Sequence, residues 1–124
     1  MAKFEGFEEI DAWQKAYSVT IQIYQVTESG RFAKDFGLRD QIRRASVSVM
    51  ANIAEGHGRK SNSEFANFLN IARGSAHEVQ SHLYIAKGLN YIEQADFEKL
   101  YGLLGEVSRM TLGLARYLRE NDRK

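Results

Sequence analysis

The 124-residue chain has no cysteine and no proline, one tryptophan, three methionines and three histidines. Without thiols there is no disulfide framework, no thiolate nucleophile and no cysteine-ligated zinc. Lack of proline favours long uninterrupted helices, because proline removes a backbone donor and clashes with the preceding turn. No apolar run reaches membrane-spanning length, since Ser, Asn, Gln and charged residues interrupt every stretch. The opening Met1-Ala-Lys-Phe-Glu-Gly6 has no apolar core and does not read as a signal peptide. These absences predict a cytoplasmic protein with no membrane partner. The length fits one domain over residues 1–124, large enough to bury its own core.

An excess of one charge sign is also missing overall, with a net charge of only +1. The distribution is uneven. Residues 1–30 hold two basic and five acidic side chains, whereas residues 31–60 hold seven basic and three acidic.

What is present is helical periodicity. Ile10, Trp13, Tyr17, Ile21 and Tyr24 form one stripe of a helix from about Glu8 to Ser29, and Ala16, Val19, Ile23 and Val26 form a second. Glu8, Glu9 and Asp11 fall in its first turn, where the helix dipole favours anions, and Gly30 ends it. A second helix is predicted from Gly37 to Glu55 on the seam Leu38, Ile42, Ala45, Val49 and Ile53, stopped by Gly56 and Gly58. Ser61 and Glu64 have capping-box spacing at the head of a third helix, which carries Phe65, Leu69, Ala72, Ala76, Val79, Leu83 and Ala86 and ends at Gly88 and Asn90. The fourth, about Glu93 to Glu120, repeats the seam with Phe97, Leu100, Leu104, Val107, Thr111, Leu114 and Leu118, and the tail Asn121–Lys124 is expected to fray. The fold class is therefore all-α, an antiparallel up-down-up-down four-helix bundle.

Antiparallel packing of the second and third helices sets Ala45 near Gly74, Ser48 near Ile71 and Asn52 near Asn67. Small residues (Ala45, Ser46, Gly74, Ser75, Ala76) then predict close backbone approach, which is the expected reason for Gly74 inside a helix. Asn52 reads as an interhelical hydrogen-bonding residue that fixes register. Glu55 opposes the macrodipole at a helix end, so a partner is expected in Arg59 or in amides of the turn.

These residues carry a family resemblance. Leu38-x-x-Gln41-Ile-Arg-Arg-Ala45-x-x-Ser48, Asn52-Ile-Ala-Glu-Gly-x-Gly-Arg59 and Glu64-Phe65-x-x-Phe68-Leu-x-Ile-Ala-Arg-Gly-Ser75-x-x-Glu78 resemble bacterial four-helix-bundle proteins encoded within intervening sequences of large-subunit ribosomal RNA genes, often labelled ribosomal-protein-like. Trp13-Gln-Lys-Ala16 and Ile23-Tyr24 are similar to the family's opening segment. The resemblance implies a ring-like homo-oligomer, commonly a homopentamer. It also implies kinship with the accessory protein of diversity-generating retroelements, a basic pentamer that engages nucleic acid and a reverse transcriptase. Self-association has support from the residues too, since seven Phe, six Tyr and one Trp with surplus stripes exceed what four helices conceal.

No catalytic or metal set is expected. No Glu or Asp has a histidine three residues on, as di-iron bundles require. His77 and His82 are five apart, about 140° around a helix, so they cannot ligate from one face. Gly56-His-Gly-Arg-Lys-Ser61 lacks phosphate-loop spacing, and Gly74-Ser75 is no nucleophile elbow. No metal or cofactor is expected. The remaining functional signal is RNA or DNA binding through Arg39, Arg43, Arg44, Arg59 and Lys60, with Arg31 and Lys34 alongside. The sequence reading is thus a non-enzymatic oligomeric scaffold that contacts nucleic acid. Its rivals are a protein–protein interaction module, a reverse-transcriptase accessory without catalysis, and an enzyme built on Glu55, His57 and Arg59.

Overall fold

A computed structural model describes residues 4–121, so the tail beyond Asn121 lies outside the described residues. The helices are α1 (Asp11–Val26), α2 (Gly30–Lys34), α3 (Phe36–His57), α4 (Asn62–Gly88) and α5 (Gln94–Glu120), and no strand occurs among the described residues. The class is all-α. No helix among these residues is long and apolar enough to cross a membrane.

The chain enters α1 differently from the expectation. Phe7–Glu9 form a separate 3-10 turn, and Ile10 is extended and buried before α1 starts at Asp11. Burying Ile10 turns the chain, so Glu8 and Glu9 lie outside the helix they were expected to open. At the other end Thr27 Oγ1 donates back to the carbonyls of Ile23 (2.8 Å) and Tyr24 (3.1 Å), and α1 stops three residues early. Gly30 has φ 70°, open to glycine at no steric cost, and it begins a helix as well as following one. That five-residue helix, α2, was not anticipated. It is anchored by Phe32, only 1% exposed.

Asp35 caps α3 by accepting from Leu38 N at 3.1 Å. The helix then runs through Gly56 to His57, and neither Gly56 nor Gly58 takes a left-handed conformation. Gly56 does not stop the helix. A Cβ there would lie 2.7 Å from Phe68 Cβ and 2.9 Å from Phe65 Cδ1, so α4 crosses directly over it. Gly74, by contrast, is exposed with nothing within 4 Å of a Cβ, which overturns the close-packing role expected for it.

Ser61 Oγ accepts from Glu64 N (3.1 Å) at the head of α4, and no return bond from the Glu64 carboxylate to Ser61 occurs among the described residues. The far end of α4 closes with Asn90 at φ 60°, Asn90 N donating to Lys87 O (3.0 Å) and Tyr91 N to Ala86 O (2.8 Å).

α3 packs on α4, α4 on α5, and α1 on both α3 and α5. Contacting residues ascend one helix as they descend its neighbour: Arg119 reaches Asn67 (2.8 Å), and Gln80 reaches the carbonyl of Tyr101 (3.2 Å). Ile23, Ile42, Ile53, Leu69, Leu83, Leu104 and Leu118 fill the space between. The α3–α4 register differs from the expected one. Ser48 meets Ser75 (2.9 Å), one turn past Ile71, and Ile71 is left 52% exposed. Helical side chains lean toward their own N-terminus, away from the turn in α3 and toward it in α4, so true partners lie farther along α4 than backbone levels give. Asn52 is also not bonded to Asn67. Its amide donates to Ser48 O (2.8 Å) and Ser48 Oγ (3.0 Å), and so holds the serine that bridges to α4.

Candidate nucleic-acid interface

The basic residues of the central block fall into two groups at opposite ends of α3. Arg39 and Arg59 are separated by twenty residues of sequence, about 30 Å along a helix at 1.5 Å per residue. The five residues do not form one patch.

At the α2–α3 end, most guanidiniums are fixed by carbonyls and rings. Arg31 donates to Leu89 O (2.8 Å) and Asn90 O (3.3 Å) and lies over the Tyr91 ring. Arg39 donates to Ala33 O (3.1 Å) and to Asp40 Oδ1 (2.9 Å), and sits 4.8 Å from the Phe36 centroid. Arg43 donates to Thr27 Oγ1 (2.7 Å) and Tyr24 O (3.4 Å), 4.5 Å from the Tyr24 centroid, and so ties α1 to α3. Arg44 is exposed and, among the described residues, has no hydrogen bond or ion pair. It borders a cleft of about 430 Å³ with Gln41, Ser48 and Glu78.

At the other end, Arg59 pairs with Glu55 (2.7 Å), one turn back, and lies over Phe68. This supplies a partner for the carboxylate at the helix end and occupies the group around which a catalytic turn would have been built. An exposed pair of this kind stabilises by at most about 1 kcal/mol. Lys60, His57 and Ser61 border a cavity of about 730 Å³ with Phe4, Glu9 and Phe65. His57 Nε2 is 2.9 Å from Phe4 O, so the last residue of α3 fastens the segment before α1. His77 meets Ser108 (3.2 Å) and His82 meets Glu78 (3.3 Å). Among the described residues no three His, Cys, Asp or Glu side chains gather as metal ligands do.

Sequence reasoning missed the tie at Tyr91. Its hydroxyl donates to Asp35 Oδ2 (2.9 Å) across 56 positions of sequence, joining the α4–α5 turn to the residue that caps α3. No local signal marks it. The hydrogen bond to Asp35, then burial and the Asp35 charge, push the phenol above its ordinary value of 10.0, against the opposing charge of Arg31. A raised folded pKa means that the neutral phenol is favoured by folding. Its contribution is complete below the ordinary phenol pKa and is lost as pH rises through the folded value. Urea midpoints of the wild-type chain are therefore expected to fall across that alkaline window more steeply than those of Tyr91→Phe. Parallel pH profiles would refute the tie.

No curated protein matches this sequence. The fold resembles a crystal structure, at 1.70 Å resolution, of a protein with unknown function from the S23 ribosomal protein family of Bacteroides thetaiotaomicron. Identity is 24% and the TM-score 0.78, over 85% of this chain and 95% of that one. Residues 8–113 match the family described as 23S rRNA-intervening sequence protein, and this chain belongs to that family.

Proposed function

We propose that the chain is a non-enzymatic scaffold, an antiparallel four-helix bundle with α2 as an accessory turn, that assembles from identical copies and contacts RNA. The observation that carries the RNA reading is the α2–α3 end. Arg31, Lys34, Arg39, Arg43 and Arg44 stand there with two acidic residues, Asp35 and Asp40, among them, and Arg44 is exposed with no partner among the described residues. The family's description names an intervening sequence of 23S rRNA, which makes RNA the first ligand to test. Arg59 and Lys60 supply a second, separate cationic point at the far end.

Assembly is supported by two apolar faces on different helices. Tyr17 and Ile21 are exposed on α1, and Ile71 and Ile85 are exposed on α4. Unlike faces favour head-to-tail contact, which closes into a ring when the rotation permits, and five copies is the number the family resemblance implies.

Sedimentation with and without a labelled RNA tests this reading. The protein alone should run at a mass well above the 14.1 kDa of one chain. RNA binding should weaken linearly in log–log salt plots, and Arg44→Ala should lower that slope by about one per site. A monomer at micromolar concentration would overturn the assembly, and no binding at low salt would overturn the RNA contact.

A further inference from the structure

Two features of the α2–α3 end go beyond charge. Phe36 is 64% exposed, more than any other large apolar side chain described, and Tyr24 is 39% exposed. Each ring is paired with a guanidinium, Phe36 with Arg39 at 4.8 Å and Tyr24 with Arg43 at 4.5 Å. An exposed Phe contributes little to a core, and an arginine whose only task is to meet phosphate needs no ring beneath it.

We infer that these two ring–guanidinium pairs are a stacking platform for adjacent unpaired bases, so that the nucleic acid recognised here is a single strand. The inference rests on the RNA reading above and narrows its ligand class. Arg39 and Arg43 are one turn apart, about 6 Å along α3. That spacing suits successive bases of a splayed strand, whereas a duplex keeps its base faces hidden. Both guanidiniums are held by protein acceptors, Ala33 O and Asp40 for Arg39, Thr27 Oγ1 and Tyr24 O for Arg43. The platform is therefore in place before a ligand arrives, and little ordering accompanies binding. Bases stack on aromatic rings and on guanidinium planes with little regard to sequence. Arg44 and Lys34, close by in sequence, supply the cations that a phosphate backbone beside such bases requires. That charge complementarity favours a nucleic-acid strand over an apolar protein surface.

The test uses a short labelled oligouridylate and a fully paired RNA hairpin of equal length, with Phe36→Leu and Phe36→Tyr variants of the full chain. Phe36→Leu keeps apolar bulk and removes the ring, and the site's exposure keeps the fold intact. Single-strand affinity is expected to fall about ten-fold in Phe36→Leu, within the range for losing one stack. The salt slope should stay unchanged, and Phe36→Tyr should bind as wild type. Equal binding of hairpin and single strand, or a silent Phe36→Leu, would overturn the platform while leaving the RNA reading intact. A change in assembly mass for Phe36→Leu with unchanged RNA affinity would assign the ring to self-association and also overturn it. Failure of the wild-type chain to bind either RNA at low salt would overturn both readings.

Discussion

Phe32→Ala is expected to lower the stability of this protein by about 3–5 kcal/mol, the usual cost of removing a buried aromatic ring. The expectation follows from Phe32 being the side chain by which α2 enters the core. A helix of five residues has no stability of its own, because nucleation is unfavourable and few bonds propagate it. Its position depends on Phe32, 1% exposed and 5.3 Å from the Tyr91 ring. Truncation removes the transfer energy, opens a cavity, and loosens the segment from which Arg31 reaches Leu89 and Asn90. Small domains are stable by only about 5–15 kcal/mol, so a large share of the total is at stake. Urea unfolding should show the loss as a lower midpoint. A change under about 1 kcal/mol would mean that α2 is an ornament on the fold.

The second large effect is Gly56→Ala, expected to destabilise by about 1–3 kcal/mol, as overpacking does. The new methyl would sit 2.7 Å from Phe68 Cβ, an atom fixed to the α4 backbone that cannot swing away, so the helices must separate. This cost outweighs the gain in helix propensity of about 1 kcal/mol that alanine brings over glycine. Gly74→Ala supplies the contrast. Nothing lies within 4 Å of a Cβ at Gly74, so only the propensity gain remains and stability should rise by up to about 1 kcal/mol. Opposite signs in the same unfolding assay are the expected result. A stabilising Gly56→Ala would show that α4 does not cross α3 where the structure puts it.

Those two glycines also show where sequence reasoning reaches its end. Both interrupt a helical pattern, and nothing local tells which one lies beneath another helix. The seams themselves were readable: Ile42, Val49 and Ile53, or Leu69, Val79 and Leu83, recur at helical spacing and are buried. The cap at Ser61 was readable as well, since its partner lies three residues away. Legibility declined with distance. The break at Ile10 exists because the core accepts that side chain, and α2 exists because Phe32 finds Tyr91 far along the chain. The basic cluster was visible as charge, but the acceptors that fix Arg43 and Arg31 lie 16 to 59 positions away. Charge counts cannot separate an arginine bound to Thr27 from one that faces solvent.

The looser seating of α1 carries one more consequence. α4 shares broader contacts with α3 and α5 than α1 shares with either of its neighbours, and α1 is the shortest of the long helices. Among the four long helices, partial opening of such a fold starts with the one that has least to lose. Tyr24 belongs to α1, whereas Phe36, Arg39 and Arg43 belong to α3, so a ligand lying across them spans the seam that opens first. Its binding energy then enters the opening equilibrium by mass action, about 2.7 kcal/mol at a hundred-fold excess over Kd. Occupancy acts as a removable staple, and the amides of α1 become a gauge of whether the end of the molecule is filled.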